Sequence, residues 1–224
     1  MRHKRRTAGA AFMLLLAVCA AARAQEPLTG AAASGPEGAA QSGVYGFERA
    51  ANEYGFWGGG SFGSPTLIGK TEGTRFGLLA FRYARVVARG ESLALKYTLD
   101  AVPLAALSFP SRDPAAGGRE VRKTITGAGL SPVGFQLNFR RRERVQPFAQ
   151  GSGGFLYFGE RVPDARGAQF NFAADFGGGV EWKTGARRAW TFGYRYHHVS
   201  NGYRADVNPG FDTNLFYVGF SVFR

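Results

Sequence analysis

The chain has 224 residues and a formal net charge of +12, enough length for one large domain. Its single cysteine, Cys19, excludes a disulfide scaffold. Mean hydropathy is slightly negative, and no stretch after residue 24 is long and apolar enough for a transmembrane helix. That excludes a helical membrane protein but not a barrel, whose alternating strands are hidden in hydropathy averages.

Residues 1–24 read as a secretory signal. Arg2, Lys4, Arg5 and Arg6 form a basic start, Phe12 to Ala22 an apolar run, and Ala22-Arg23-Ala24 a small-x-small cleavage site before Gln25. Cys19 leaves with that signal, as do five basic residues and His3. The 28 Lys and Arg become 23 against 16 acids, a balance of +7, and the remaining histidines are His197 and His198. An exported chain with this excess meets anionic lipid head groups rather than nucleic acid. Residues 25–41, rich in Ala, Gly and Pro, read as a flexible arm, and residues 42–224 as the folded domain.

From there the chain alternates. Leu93, Leu95, Tyr97 and Leu99 interleave with Ala94, Lys96, Thr98 and Asp100. Val133, Phe135, Leu137 and Phe139 interleave with Gly134, Gln136, Asn138 and Arg140. The same two-residue period runs through Phe170 to Trp182 and through Phe216 to Phe223. Strands are expected near 53–63, 74–88, 91–102, 123–140, 145–158, 167–183, 187–200 and 212–224. Short links at Gly90 and Lys183 to Arg187 alternate with longer ones at Pro103 to Arg119 and Gly159 to Arg166.

The two faces decide the architecture. One carries Phe, Leu, Trp and Tyr, as lipid contact requires. The other carries Gly, Asn, Gln, Ser, Asp and Arg, small or polar enough for a narrow lumen, where Lys96, Asp100, Arg140, Asp175, Glu181 and Arg195 are expected to pair. The fold class is therefore all-β: an eight-stranded antiparallel transmembrane β-barrel of the bacterial outer membrane. Gly58-Gly59-Gly60 and Gly177-Gly178-Gly179 lack the lysine and Ser/Thr of a phosphate loop and read as sites of strand curvature.

The chemistry gathers near the end. In Trp190 to Ser200, the period of two puts Trp190, Phe192, Tyr194, Tyr196, His198 and Ser200 on one face, and Arg195 and His197 on the other. His197 then faces the lumen near Arg195 or Glu181, while His198 and Ser200, about 7 Å apart along the backbone, face lipid. A serine hydroxyl becomes a nucleophile when a neighbouring base accepts its proton, and a third group must orient that base. Asp212 shares parity with Phe216, Val218 and Phe220, so it points outward on the next strand and can lie beside His198. Singly, each residue is ordinary: a histidine in an aromatic girdle is often interfacial, and Ser-Asn-Gly is a turn signal. Adjacent histidines on opposite faces make no metal site.

His198-Val199-Ser200-Asn201, an acid fourteen residues after the histidine, and the intervening Asn208-Pro209-Gly210 resemble the lipid A 3-O-deacylase family over residues 190–224. The resemblance implies an eight-stranded outer-membrane barrel that hydrolyses the 3-linked ester of lipid A without metal or other cofactor. It implies Ser200 as nucleophile, His198 as general base, Asp212 as orienting acid, and Asn201 with the backbone around Gly202 as oxyanion donors. The family's acid is typically glutamate, one methylene longer than Asp212. His-x-Ser-Asn-Gly also resembles outer-membrane phospholipase A, a twelve-stranded calcium enzyme with asparagine as third member. A small structural or adhesive barrel is the non-enzymatic alternative. The expected partners are lipid A in lipopolysaccharide and the outer membrane, with no nucleic acid and with a homodimer left open.

Overall fold

The computed structural model describes residues 51–224 except Phe62, residues 114–116 and Ala186. The expected signal (1–24), the arm (25–41) and the first residues of the expected domain lie outside the described residues. Eight strands run β1 (Asn52–Ser61), β2 (Arg75–Arg89), β3 (Leu93–Asp113), β4 (Arg119–Phe139), β5 (Val145–Val162), β6 (Ala168–Gly185), β7 (Arg188–Ser200) and β8 (Phe211–Phe223). Each pairs antiparallel with the next, and β1 pairs with β8 (Glu53 opposite Phe223, Gly60 opposite Phe216), closing the ring. Closure gives every strand two neighbours around the ring, the condition for crossing lipid with strands.

Alternation sets the two faces. Phe56, Leu79, Phe81, Val133, Phe176, Phe192 and Phe216 point outward and are roughly half exposed, an apolar belt that water would penalise and acyl chains accept. The inward face is layered. Toward the rim that carries Asn52 and Arg224, Lys96 Nζ bridges Glu53 Oε2 (2.7 Å) and Glu181 Oε2 (2.6 Å). Above it, Arg82 grips Asp100 with Nε and Nη2, both at 2.7 Å, while Arg195 reaches Asp175 (3.3 Å) and Asp100 (3.6 Å). The Arg195 guanidinium lies 4.2 Å from the Trp57 ring and 4.9 Å from the Tyr217 ring. Such buried charges are tolerable because each has a partner.

The other half of the interior is apolar, filled by Phe76, Leu107, Phe109, Ile125, Leu156, Phe158, Val199, Phe211 and Leu215. The expected all-polar lumen is thus correct for one half only. In most strands the inward positions simply turn apolar, as from Arg82 to Phe76 in β2, while β3 changes parity. Lys96, Thr98, Asp100 and Val102 face inward, a register shift follows between Val102 and Ala105, and then Ala105, Leu107 and Phe109 face inward. Beyond the bulge β3 runs on to Asp113, inside the stretch expected to be a loop at Pro103 to Arg119, where β4 begins.

Arg140 does not join the lumen network. It occupies the β4–β5 turn with φ 53 and pairs with Glu143 across the exposed turn at 3.6 Å. His197 faces inward as expected, and its ring stacks on Phe76 (4.9 Å, 17°). The first residue of β1 and the last of β8 share one rim with the β2–β3, β4–β5 and β6–β7 connections. The other four connections join their strands at the opposite rim, where 63–74 and 201–210 are the long ones. Ser200 and Phe211 lie at that second rim.

Candidate active site

β7 delivers His198 and Ser200 to the outer wall at the rim of the long connections. Val199 between them is buried inside, as the pleat requires. Asp212 is the direct cross-strand partner of His198, and its Oδ1 lies 2.6 Å from His198 Nδ1. With Nδ1–H donated to the carboxylate, the tautomer leaves Nε2 as the free base. Aspartate therefore reaches the imidazole despite its missing methylene.

Asp212 has the outward parity expected of it, yet it is 0 % exposed. The cover is the β1–β2 connection, which folds over the wall as a strap. Ile68 N–H (2.7 Å) and Gly69 N–H (2.8 Å) both donate to Asp212 Oδ2, so each carboxylate oxygen is occupied. A buried carboxylate is expensive without such donors. The strap is fastened further by Lys70 N–H to Pro209 O (2.8 Å) and by the Thr71 hydroxyl to Gly210 O (2.8 Å). A Cβ at Gly69 would lie 2.8 Å from Phe211 Cα and 2.9 Å from the Gly210 carbonyl carbon, so only glycine permits this approach.

Sequence reasoning missed the strap. Its only signal is a pair of large apolar residues, Leu67 and Ile68, next to a glycine in a polar connection; both are exposed here, 74 % and 58 %. On the other side of the imidazole, Gly210 (φ 62) would bring a Cβ within 3.1 Å of His198 Cε1. Strap and glycine together restrict the ring.

Ser200 is half-buried and pairs with Phe172 of β6. Among the described residues it makes no hydrogen bond to His198; such contacts commonly tighten only with substrate bound. Asn201 is buried and knits the β7–β8 connection. Its main-chain N–H donates to Asn208 Oδ1 (2.9 Å) and its Nδ2 to Val207 O (2.7 Å). One Nδ2 proton and the N–H of Gly202, which has φ 64, remain as candidate donors beside Ser200.

The ring of strands with its apolar outer belt, bearing an oriented imidazole on that same outer wall, defines an outer-membrane β-barrel with a candidate hydrolytic site. The chain belongs to the lipid A 3-O-deacylase family: the family model described as "Lipid A 3-O-deacylase (PagL)" matches residues 94–221, more than half of it. No curated protein sequence matches. Among solved structures it is similar to the outer membrane enzyme PagL (15% identity, TM-score 0.46, covering 75% of this chain and 98% of that one). It is also similar to Neisserial surface protein A (12%, 0.42, 76% and 96%). A third is the outer membrane protein AlkL in DMPC lipid bilayers (14%, 0.41, 86% and 97%).

Proposed function

We propose that this barrel hydrolyses the ester joining an acyl chain to the 3-position of lipid A, with Ser200, His198 and Asp212 as its triad. Ser200 Oγ bonds to the ester carbonyl carbon while His198 Nε2 takes its proton. Asp212 holds the imidazolium that results. The remaining Asn201 Nδ2 proton and the Gly202 N–H face the oxyanion. Collapse expels the sugar hydroxyl, which takes the proton back from His198. Water then repeats the sequence on the acyl-enzyme and releases the fatty acid.

The observation that carries this reading is the 2.6 Å contact between His198 Nδ1 and Asp212 Oδ1 on the lipid-facing wall. It stands on the face and at the rim where Ser200 ends β7. A substrate whose acyl chains lie alongside the barrel needs no deep cleft, so a flat site suffices. The ring closes at eight strands, which counts against the twelve-stranded phospholipase alternative. Residues 1–24 serve as the export signal in this reading.

A fluorophosphonate probe on the purified barrel tests the serine mechanism. Labelling should fall on Ser200 and vanish in His198→Ala. Absence of label on folded protein that deacylates would overturn the serine mechanism.

A further inference from the structure

We propose that a groove beside the triad, walled by Arg161, Arg166 and Arg204, is the subsite that binds a phosphate of the lipid substrate's saccharide. The proposal rests on the lipid A reading above and adds to it which part of the substrate is held, and where. The groove has a volume of about 460 Å³ and lies between the β5–β6 end of the wall and the β7–β8 connection, with Tyr157, Gln169 and Phe170 completing it. That size falls within the roughly 300–1,000 Å³ of small-ligand sites. The two connections are tied where Val207 N–H donates to Arg166 O at 3.4 Å.

Arg204 gives the groove its position. Its guanidinium lies over two rings of the outer wall, 5.5 Å from the Phe170 centroid and 5.9 Å from the Phe172 centroid. The side chain thus runs along the lipid-facing surface at the rim, where head groups are. A ring attracts the cation without taking up its N–H donors as a carboxylate would, so these stay available to an acceptor. Phe172 is the register partner of Ser200, so one of the two rings that hold the cation sits on the strand beside the serine.

The three arginines are not equivalent. Arg166 is committed to Asp164 (2.9 Å and 3.3 Å), and it shapes the wall. Arg161 donates through Nη1 to Ala165 O (3.1 Å), and among the described residues neither it nor Arg204 is in an ion pair. Asp206, also in the lining, offsets one positive charge. Two guanidinium forks at the rim match the planar, bidentate recognition of a phosphate monoester. An ester held at Ser200 leaves the sugar's own phosphate within a saccharide's width, over this groove.

The test compares diphosphorylated lipid A with its dephosphorylated form, in uncharged detergent micelles free of phospholipid. Binding is measured on Ser200→Ala protein, so no chemistry is needed, and kcat/KM on active protein. The Ser200→Ala barrel should bind the phosphorylated form about tenfold or more tightly, and active protein should prefer it in kcat/KM. Both preferences should collapse in Arg161→Gln/Arg204→Gln and fall partway in Arg161→Gln alone, with barrel circular dichroism unchanged. Inorganic phosphate at millimolar concentration should compete in proportion. Equal affinity for the two lipids, or a loss in the arginine variants that is the same for both, would overturn the subsite. Preferential binding without any turnover would support the subsite and count against the deacylase reading instead.

Discussion

Gly69→Ala should cripple the enzyme without unfolding it. The added Cβ would sit 2.8 Å from both Cα and N of Phe211 and 2.9 Å from the Gly210 carbonyl carbon, all backbone atoms that no side-chain rotation can move aside. The strap must lift, which takes the Ile68 and Gly69 N–H groups off Asp212 Oδ2, now 2.7 and 2.8 Å away. Hydrogen bonds to a charged group are worth about 1.5–3 kcal/mol each, but water entering under the lifted strap recovers much of that. A net loss of about 1.5–3 kcal/mol in holding the carboxylate, and through it the imidazole, corresponds to roughly a 10–100-fold fall in kcat. The assay is single-turnover release of fatty acid from lipid A in micelles, with folding checked by circular dichroism. Gly63→Ala is the control from the same connection, since a Cβ there meets nothing within 4 Å. Unchanged kcat in folded Gly69→Ala protein would refute the idea that the strap positions the triad.

Other substitutions probe the same frame. Asp212→Asn keeps an acceptor for the strap but favours the wrong tautomer of His198, so kcat should drop by about 10³–10⁴-fold with little change in KM, read by steady-state deacylation. Asp212→Glu, although glutamate is the acid more typical of the family, should lower kcat by roughly tenfold, because the residue is 0 % exposed beneath the strap and an extra methylene overpacks it; a gain in rate would contradict the packing. Lys96→Met leaves Glu53 and Glu181 buried facing each other, and thermal unfolding in detergent should show a loss of about 3–5 kcal/mol. Deacylation should persist in that variant at temperatures where it stays folded, because Lys96 lies at the opposite end of the lumen.

Much of this arrangement was legible before any coordinates. The period of two puts His198 and Ser200 on the outer face, and the pairing of consecutive strands puts Asp212 beside His198, because strand parity and strand order follow directly from the chain. What stayed hidden was set by irregularity or by distance. The bulge after Val102 reverses the parity of β3, so Leu107 and Phe109 fill the lumen although a strict alternation ends the strand at Pro103. Arg140 continues the alternation in the sequence, but the turn takes it over. The strap is a contact between residues more than 140 positions apart, and nothing near Ile68 and Gly69 announces a carboxylate to bind.

The central claim concerns chemistry at Ser200 on the membrane face of the barrel. Mass spectrometry of lipid A from cells expressing the wild-type chain or Ser200→Ala at equal outer-membrane levels measures it directly. The wild type should produce a species lighter by one acyl chain, lost from the 3-position, that is missing from the Ser200→Ala cells. Identical acylation in the two strains would contradict the account.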